Sequence, residues 1–203
     1  MAYRGIDVSH NNGVVNWDKV KNAGIEFAII RAGFGGDTVK QDDKQAERNM
    51  LECERLHIPY GLYLYSYALQ REQAGSEAAH VLRLAKGRKV SLGIWYDMED
   101  ADGYKKKHGL DVHREGQKLT DCCEIFCNEV KEKGYETGIY ASLDYFKNIL
   151  DQKRLRQFPF WLAHWGVKQP GIDCRIWQYT SDGVVDGAGR RTDMDYYYGE
   201  LPV

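Results

Sequence analysis

Proline is scarce in this chain, 4 in 203 residues, and no Ser/Pro-rich stretch interrupts it, so nothing reads as a linker between domains. No segment repeats at a fixed period, which excludes solenoids and propellers. No apolar run approaches the ~20 residues of a membrane-spanning helix, and the charged opening MAYRGIDVSH is no secretory signal. An excess of either charge is missing too: 28 Lys+Arg against 30 Asp+Glu leave a net charge of −2. Without a basic face, nucleic-acid binding has no electrostatic footing. The five cysteines, Cys53, Cys122, Cys123, Cys127 and Cys174, form no CxxC pair, and an odd number cannot pair completely. They read as reduced thiols made in a reducing compartment. There is no HExxH and the six His are scattered, so the spacing of a zinc site is absent.

What remains is a chain of one-domain length, 43% apolar and 29% charged, as a folded protein should be. Its aromatic load stands out: 14 Tyr and 5 Trp against 6 Phe. Part of that is core, but Tyr and Trp in excess of Phe also suit a cleft that stacks on sugars.

Extended segments rich in β-branched and aromatic residues are expected at Tyr3–Val8, Ile25–Arg31, Tyr60–Tyr67, Leu92–Glu99, Thr137–Ala141, Phe160–Trp165, Arg175–Tyr179 and Asp193–Tyr197. Helices are expected at Trp17–Asn22, Asp43–Leu56, Glu72–Ala85, Arg114–Lys133 and Leu143–Asp151. Gly24, Gly87 and Gly134 stand where helix ends call for positive φ. The order is five β/α units and then three strands, an α/β pattern with a parallel sheet under helices. Eight strands can close into a modified TIM-type barrel, a single domain over 1–203. An open doubly wound sheet is the alternative, but no GxGxxG or Walker-type loop follows the first strand.

In such barrels the C-terminal strand ends form the active face. In order, those ends present Asp7, Arg31, Tyr65 with Tyr67, Asp97 with Glu99, Tyr140, His164 with Trp165, Gln178, and Asp193 with Asp195. Asp97 and Glu99 in WYDMED are the sharpest pair. At i and i+2 on a strand they share a face, with Cα atoms roughly 6.6–6.8 Å apart. At that separation and an effective dielectric of ~20, two carboxylates repel by roughly 2.5 kcal/mol, so one stays protonated where the other is ionised. Acid-assisted cleavage of a glycosidic bond needs that division of labour. The same stretch also reads as a solvated loop tip or as an oxygen-ligand site for Mg²⁺ or Ca²⁺. Asp7 lies too early to cap the first helix, whereas Ser9 and Asn11–Gly13 suit a turn. Asp193 is compatible with a turn, and His164 and Gln178 with satisfied core polar groups. Taken one at a time, Tyr63, Tyr140, Trp161, Trp165 and Trp177 suit a core. Grouped around an acidic centre, Arg31, Tyr63, Tyr65, Tyr140, Trp161, His164 and Gln178 become candidate substrate-binding side chains.

From Gly5 to Gly199 the chain resembles the family 25 glycoside hydrolases, lysozymes that act as N-acetylmuramidases. GIDVSHNNG resembles the family's opening motif through Asp7, Val8, Asn12 and Gly13. IEFAIIR resembles its second strand, with Arg31 where many members have Lys, and YGLYLYSYA its third. IWYDMED resembles the Asp-x-Glu strand, FWLAHW the Trp-x-Ala-x-aromatic strand, and IWQYTSDG the Trp-Gln-Tyr segment. TDMDYYYG stands where many members have Val-Asp-Leu-Asn-x-Phe, so Asp193 matches and Asp195 replaces an Asn.

The resemblance implies a barrel of five β/α units plus three strands. It also implies hydrolysis of the β-1,4 bond between N-acetylmuramic acid and N-acetylglucosamine in peptidoglycan. By position, Glu99 is the general acid, and Asp97, Asp7 and Asp193 complete the acidic centre. Substrate assistance by the 2-acetamido group is the expected mechanism, and inversion with an Asp-activated water its alternative. No metal or organic cofactor is expected, and peptidoglycan is the expected partner of a monomer. The rival readings are a glycan-binding barrel that does not cleave and a metal-dependent peptidoglycan deacetylase. A phage or prophage lysin without an export signal, or a catalytic domain taken from a secreted protein, fits the opening of the chain.

Overall fold

Alternation with a period of two decides how the strands of this chain are used. The computed structural model describes residues 2–201. Eight strands are present: β1 (Tyr3–Val8), β2 (Phe27–Phe34), β3 (Tyr60–Tyr65), β4 (Ile94–Asp97), β5 (Thr137–Ser142), β6 (Phe160–Ala163), β7 (Ile176–Val185) and β8 (Gly189–Tyr197). They close in sequence order into a barrel. Pairing is parallel from β1 through β7, whereas β8 runs antiparallel to both β7 and β1.

Along each strand one set of side chains faces the helices and the other fills the barrel. Ala28, Ile30, Leu62, Leu64, Ile94, Tyr96, Ile139 and Leu162 belong to the large outer core. Phe27, Ile29, Tyr63, Trp95, Tyr140, Trp161, Ile176 and Tyr197 form a separate inner cluster. The same alternation puts Asp7, Asp97, Gln178 and Asp195 on the inner set, since each lies two residues from another inward position. Trp161 sits at the centre, with the rings of Tyr140, Tyr63 and Trp95 at 4.6, 5.7 and 6.1 Å. Gly5 and Gly138 leave room for this crowding: a Cβ on either would run into the ring of Phe27 or Trp95.

Six α-helices are present among the described residues: α1 (Trp17–Asn22), α2 (Ala46–Leu56), α3 (Gln73–Ala85), α4 (Tyr104–Lys107), α5 (Gly116–Glu132) and α6 (Gln152–Leu155). In α5 the buried Leu119, Cys122, Cys123, Phe126, Cys127 and Val130 recur at helical spacing and seat it against β4 and β5. The cysteines are free thiols, four of them buried. Gly24, Gly87 and Gly134 do take positive φ, at 79°, 76° and 84°.

Several boundaries differ from the sequence reading, each for a local reason. Asp43 precedes α2 rather than opening it, because its carboxyl accepts from the Gln45 amide and from Arg31. The helix expected over Leu143–Asp151 is present from Leu143 to Ile149, its last five residues (Tyr145–Ile149) π-helical, and it stops at extended Leu150. Asp151 then caps α6, accepting from the amides of Lys153 and Arg154. The last two strands are longer than expected and form a hairpin that turns at Asp186–Ala188. Thr180–Gly183, beyond the expected strand end at Tyr179, is strand with register shifts opposite Met194 and Thr192.

Candidate active site

The C-terminal ends of the parallel strands open into a cleft of about 660 Å³. Asp7, Arg31, Tyr63, Tyr65, Asp97, Glu99, Tyr140, Trp161, Gln178 and Asp193 all line it. A hollow of about 770 Å³ at the opposite end of the barrel, around Tyr3, Trp95, Arg175 and Tyr198, lacks such convergent carboxyls.

β4 ends at Asp97, so Glu99 lies in the turn beyond it. The pairing nevertheless runs on: the Asp97 carbonyl accepts from the Ser66 amide, and the Met98 amide donates to the Tyr140 carbonyl. Met98 therefore packs fully buried on the outer side while Asp97 and Glu99 both face the cleft. At 4% exposure, Asp97 is no part of a solvated loop tip. One of its carboxyl oxygens has no hydrogen-bond partner. Burial pushes the Glu99 carboxyl up to about 7, against the pull of Lys105, and pushes Asp97 well above the usual carboxylate range, with Glu99 adding to the shift. Both carboxyls therefore keep their protons at pH values where a solvated carboxylate would have lost them.

Asp7 faces Asp193 across the antiparallel β1–β8 pairing. Gln178 fixes Asp7 by a chain of forced choices. Its Oε1 accepts from the Tyr140 hydroxyl at 3.1 Å and from the Trp165 indole at 3.0 Å. Its Nε2 is thereby turned to donate to the Asp7 carboxylate at 2.8 Å. Burial, with Asp193 and Asp195 close by, raises the Asp7 carboxyl well above its usual range, and burial raises Asp193 to about 6. Asp195, fully buried, accepts from the Trp161 indole at 2.8 Å, and burial raises it to about 8.

Arg31 stands at the rim with its Nε on Asp43 at 2.8 Å and its Nη2 against His10 Nδ1 at 2.6 Å. Tyr65 donates to Asp102 at 3.3 Å, and Tyr67 to the same carboxyl at 2.7 Å. Of the sequence-derived candidates, His164 alone is not brought to the cleft. Its Nδ1 lies 2.7 Å from the Pro170 carbonyl and its own carbonyl accepts from Trp177, so it ties the loop after β6 to β7. It is one position out of phase with Trp161 and Ala163, which face inward, so the alternation turns it away from the cleft.

Trp165, 51% exposed, forms a wall of the cleft and is the aromatic that a bound sugar would meet first. Ser9, Asn11, Arg190 and Arg191 also line it. The two arginines escaped notice because their segment reads as loop. Arg191 takes φ of 60°, an uncommon conformation for a side-chain-bearing residue. Among the described residues, no three His, Cys, Asp or Glu side chains converge in a way that could hold a metal ion.

Against known proteins, the profile of the glycosyl hydrolases family 25 matches residues 6–188. The autolytic lysozyme of Clostridium acetobutylicum is 25% identical over 199 residues, which are 96% of this chain and 55% of that protein. Lysozyme M1 of Streptomyces globisporus is 27% identical over 97% of this chain and 68% of its own length. Among solved structures, the modular autolysin LytC of Streptococcus pneumoniae, in complex with a synthetic peptidoglycan ligand, superposes with a TM-score of 0.84 at 26% identity. That match covers 97% of this chain and 47% of LytC, so the chain spans about half the length of some relatives it matches. The match over residues 6–188 runs from within β1 to the end of β7, and the chain belongs to the glycosyl hydrolases family 25.

Proposed function

We propose that this chain hydrolyses the β-1,4 bond between N-acetylmuramic acid and N-acetylglucosamine in bacterial peptidoglycan. The observation that carries the reading is the pair Asp97 and Glu99 facing one aromatic-walled cleft, with burial raising both carboxyls. Membership in a family whose relatives include an autolytic lysozyme supports it.

In this reading Glu99, half-buried and open to the cleft, gives its proton to the glycosidic oxygen as the bond to the anomeric carbon breaks. The substrate's own 2-acetamido oxygen attacks the anomeric carbon from the opposite face. Asp97, deeper in the cleft, orients the acetamido N–H and as its carboxylate stabilises the positive charge that grows there. A water then opens the cyclic intermediate and gives its proton to the Glu99 carboxylate, restoring the acid. Asp7 and Asp193 complete the acidic wall, and Tyr63, Tyr140, Trp161 and Trp165 offer faces and edges for the sugar rings.

Mass spectrometry of fragments released from purified cell walls tests the bond specificity. Fragments with reducing N-acetylmuramic acid are the expected product. Binding to walls without any release would identify a barrel that holds glycans and does not cut them.

A further inference from the structure

Lys105 is a chemically active group that the reaction above leaves unused. It lies in α4, the run Tyr104–Lys107, where three successive lysines would ordinarily be solvated. It is instead fully buried, and among the described residues no other lysine or arginine is. An ammonium withdrawn from water needs partners that replace the water. Its Nζ donates to the backbone carbonyls of Ser66 at 2.5 Å and Glu99 at 2.7 Å, and lies 5.9 Å from the centre of the Tyr65 ring. The ammonium thus holds the peptide that carries Glu99, and makes no salt bridge to the Glu99 or Asp97 carboxyl.

The surrounding charges come from every side. Glu77 of α3 lies behind, fixed by the Tyr67 amide at 2.7 Å, the Ser66 hydroxyl and the Tyr96 hydroxyl. Asp97 of β4 and Glu99, Asp100 and Asp102 of the turn lie within electrostatic reach. α5 contributes the thiols of Cys122 and Cys123, which burial keeps protonated. Asp100 also accepts from the amides of Lys105 and Lys106, at 2.7 and 3.1 Å, so the turn is pinned at its backbone.

We propose that Lys105 is a positioning residue for the cleavage, its buried ammonium fixing the Glu99 peptide and keeping one negative charge on the Asp97–Glu99 pair. The proposal rests on the reading of Glu99 as the general acid. Desolvation alone would protonate both carboxyls, leaving no anion to steady the acetamido group. A cation anchored on carbonyls opposes that without forming an ion pair that would lock the acid in its charged form. In keeping with this, Lys105 lowers the proton affinity of both Asp97 and Glu99.

The test uses two variants and the unmodified chain. Lys105→Gln keeps a donor for the carbonyls and removes the charge, whereas Lys105→Met removes both. In each, both limbs of the pH–rate profile should move up by about one unit, because both carboxyls hold their protons more tightly. At pH 6, kcat should fall roughly tenfold with KM little changed. Limbs that stay in place in a folded Lys105→Gln overturn the proposal, since a mere tether predicts that result. If neither variant folds, ¹⁵N NMR of the Lys105 Nζ in the wild-type chain decides: an ammonium from about pH 5 to about pH 8 supports it, and a neutral amine there overturns it. Activity retained by Glu99→Gln would instead defeat the general-acid reading, and this proposal with it. With Glu99→Gln inactive, a negative result counts against Lys105 alone.

Discussion

The Trp161 indole donates to one carboxyl oxygen of Asp195, while the other oxygen of that carboxyl has no donor. The Asp7 carboxyl lies within hydrogen-bonding reach of Asp195, and both are withdrawn from water. Two buried carboxyls side by side are satisfied by one shared proton, which the more strongly raised Asp7 directs toward Asp195. An asparagine would donate there at every pH.

Asp195→Asn should therefore stabilise the fold on the alkaline side. A carboxyl raised to about 8 by burial binds its proton more tightly folded than unfolded. Its contribution is fully present below the unfolded value near 4 and is lost as pH rises through about 8. At pH 4 variant and wild type should melt alike. At pH 8 the variant should be more stable by on the order of 5 kcal/mol, a rise of many degrees in Tm. Thermal unfolding at the two pH values decides, and an equal gain at both would contradict the shared proton.

Glu99→Gln should fold as the wild type does and lose about 10²–10⁴-fold in wall lysis. The amide has nearly the same shape but no proton to give. Dye release from labelled walls, read beside a melting curve, measures both. Retention of half the wild-type rate would remove Glu99 from the role of acid.

The wild-type rate should fall as pH rises through about 7, where Glu99 loses the proton it must donate. A profile still rising past pH 9 would not fit an acid with this environment.

Asp97→Asn should slow cleavage while leaving the stereochemistry unchanged. Two inversions at the anomeric carbon, by the acetamido oxygen and then by water, return the β configuration. NMR of the first-formed anomer is the measurement. An α signal before mutarotation would point to water attacking directly, activated by a carboxylate.

Trp165→Ala should raise KM about tenfold and lower kcat less. The indole offers an open face to substrate, and its N–H helps turn the Gln178 amide toward Asp7. Kinetics on soluble glycan fragments separate the two effects, with Trp165→Phe restoring the face but not the donor.

Much of this site was legible because strands have a period of two. Asp7, Tyr63, Asp97, Tyr140 and Trp161 end or line apolar segments whose alternation could be counted, and all of them reach the cleft. His164 did not, because it stands out of phase with the inward Trp161 and Ala163 of its own strand. Lys105 carried no signal at all: three lysines in a row look like solvated surface, and its burial depends on the Glu99 carbonyl across a turn and the Ser66 carbonyl 39 positions away. The long β7–β8 hairpin was hidden by Thr180–Gly183, whose small polar residues favour turns when no partner strand is considered. The hydrogen-bond chain through Gln178 was equally invisible, since it joins residues from β1, β5, the β6 end and β7.

Because β8 closes the barrel against β1, the reactive centre joins the two ends of the chain. Gln178 and Asp7, bonded to each other, are 171 positions apart, and Asp193 comes later still. β1 must therefore wait for β8 to be made before these groups can meet. A product cut short of β8 has an unsealed sheet, no Asp193 and no Asp195. The acidic centre is thus complete only once the closing strand has paired with the first.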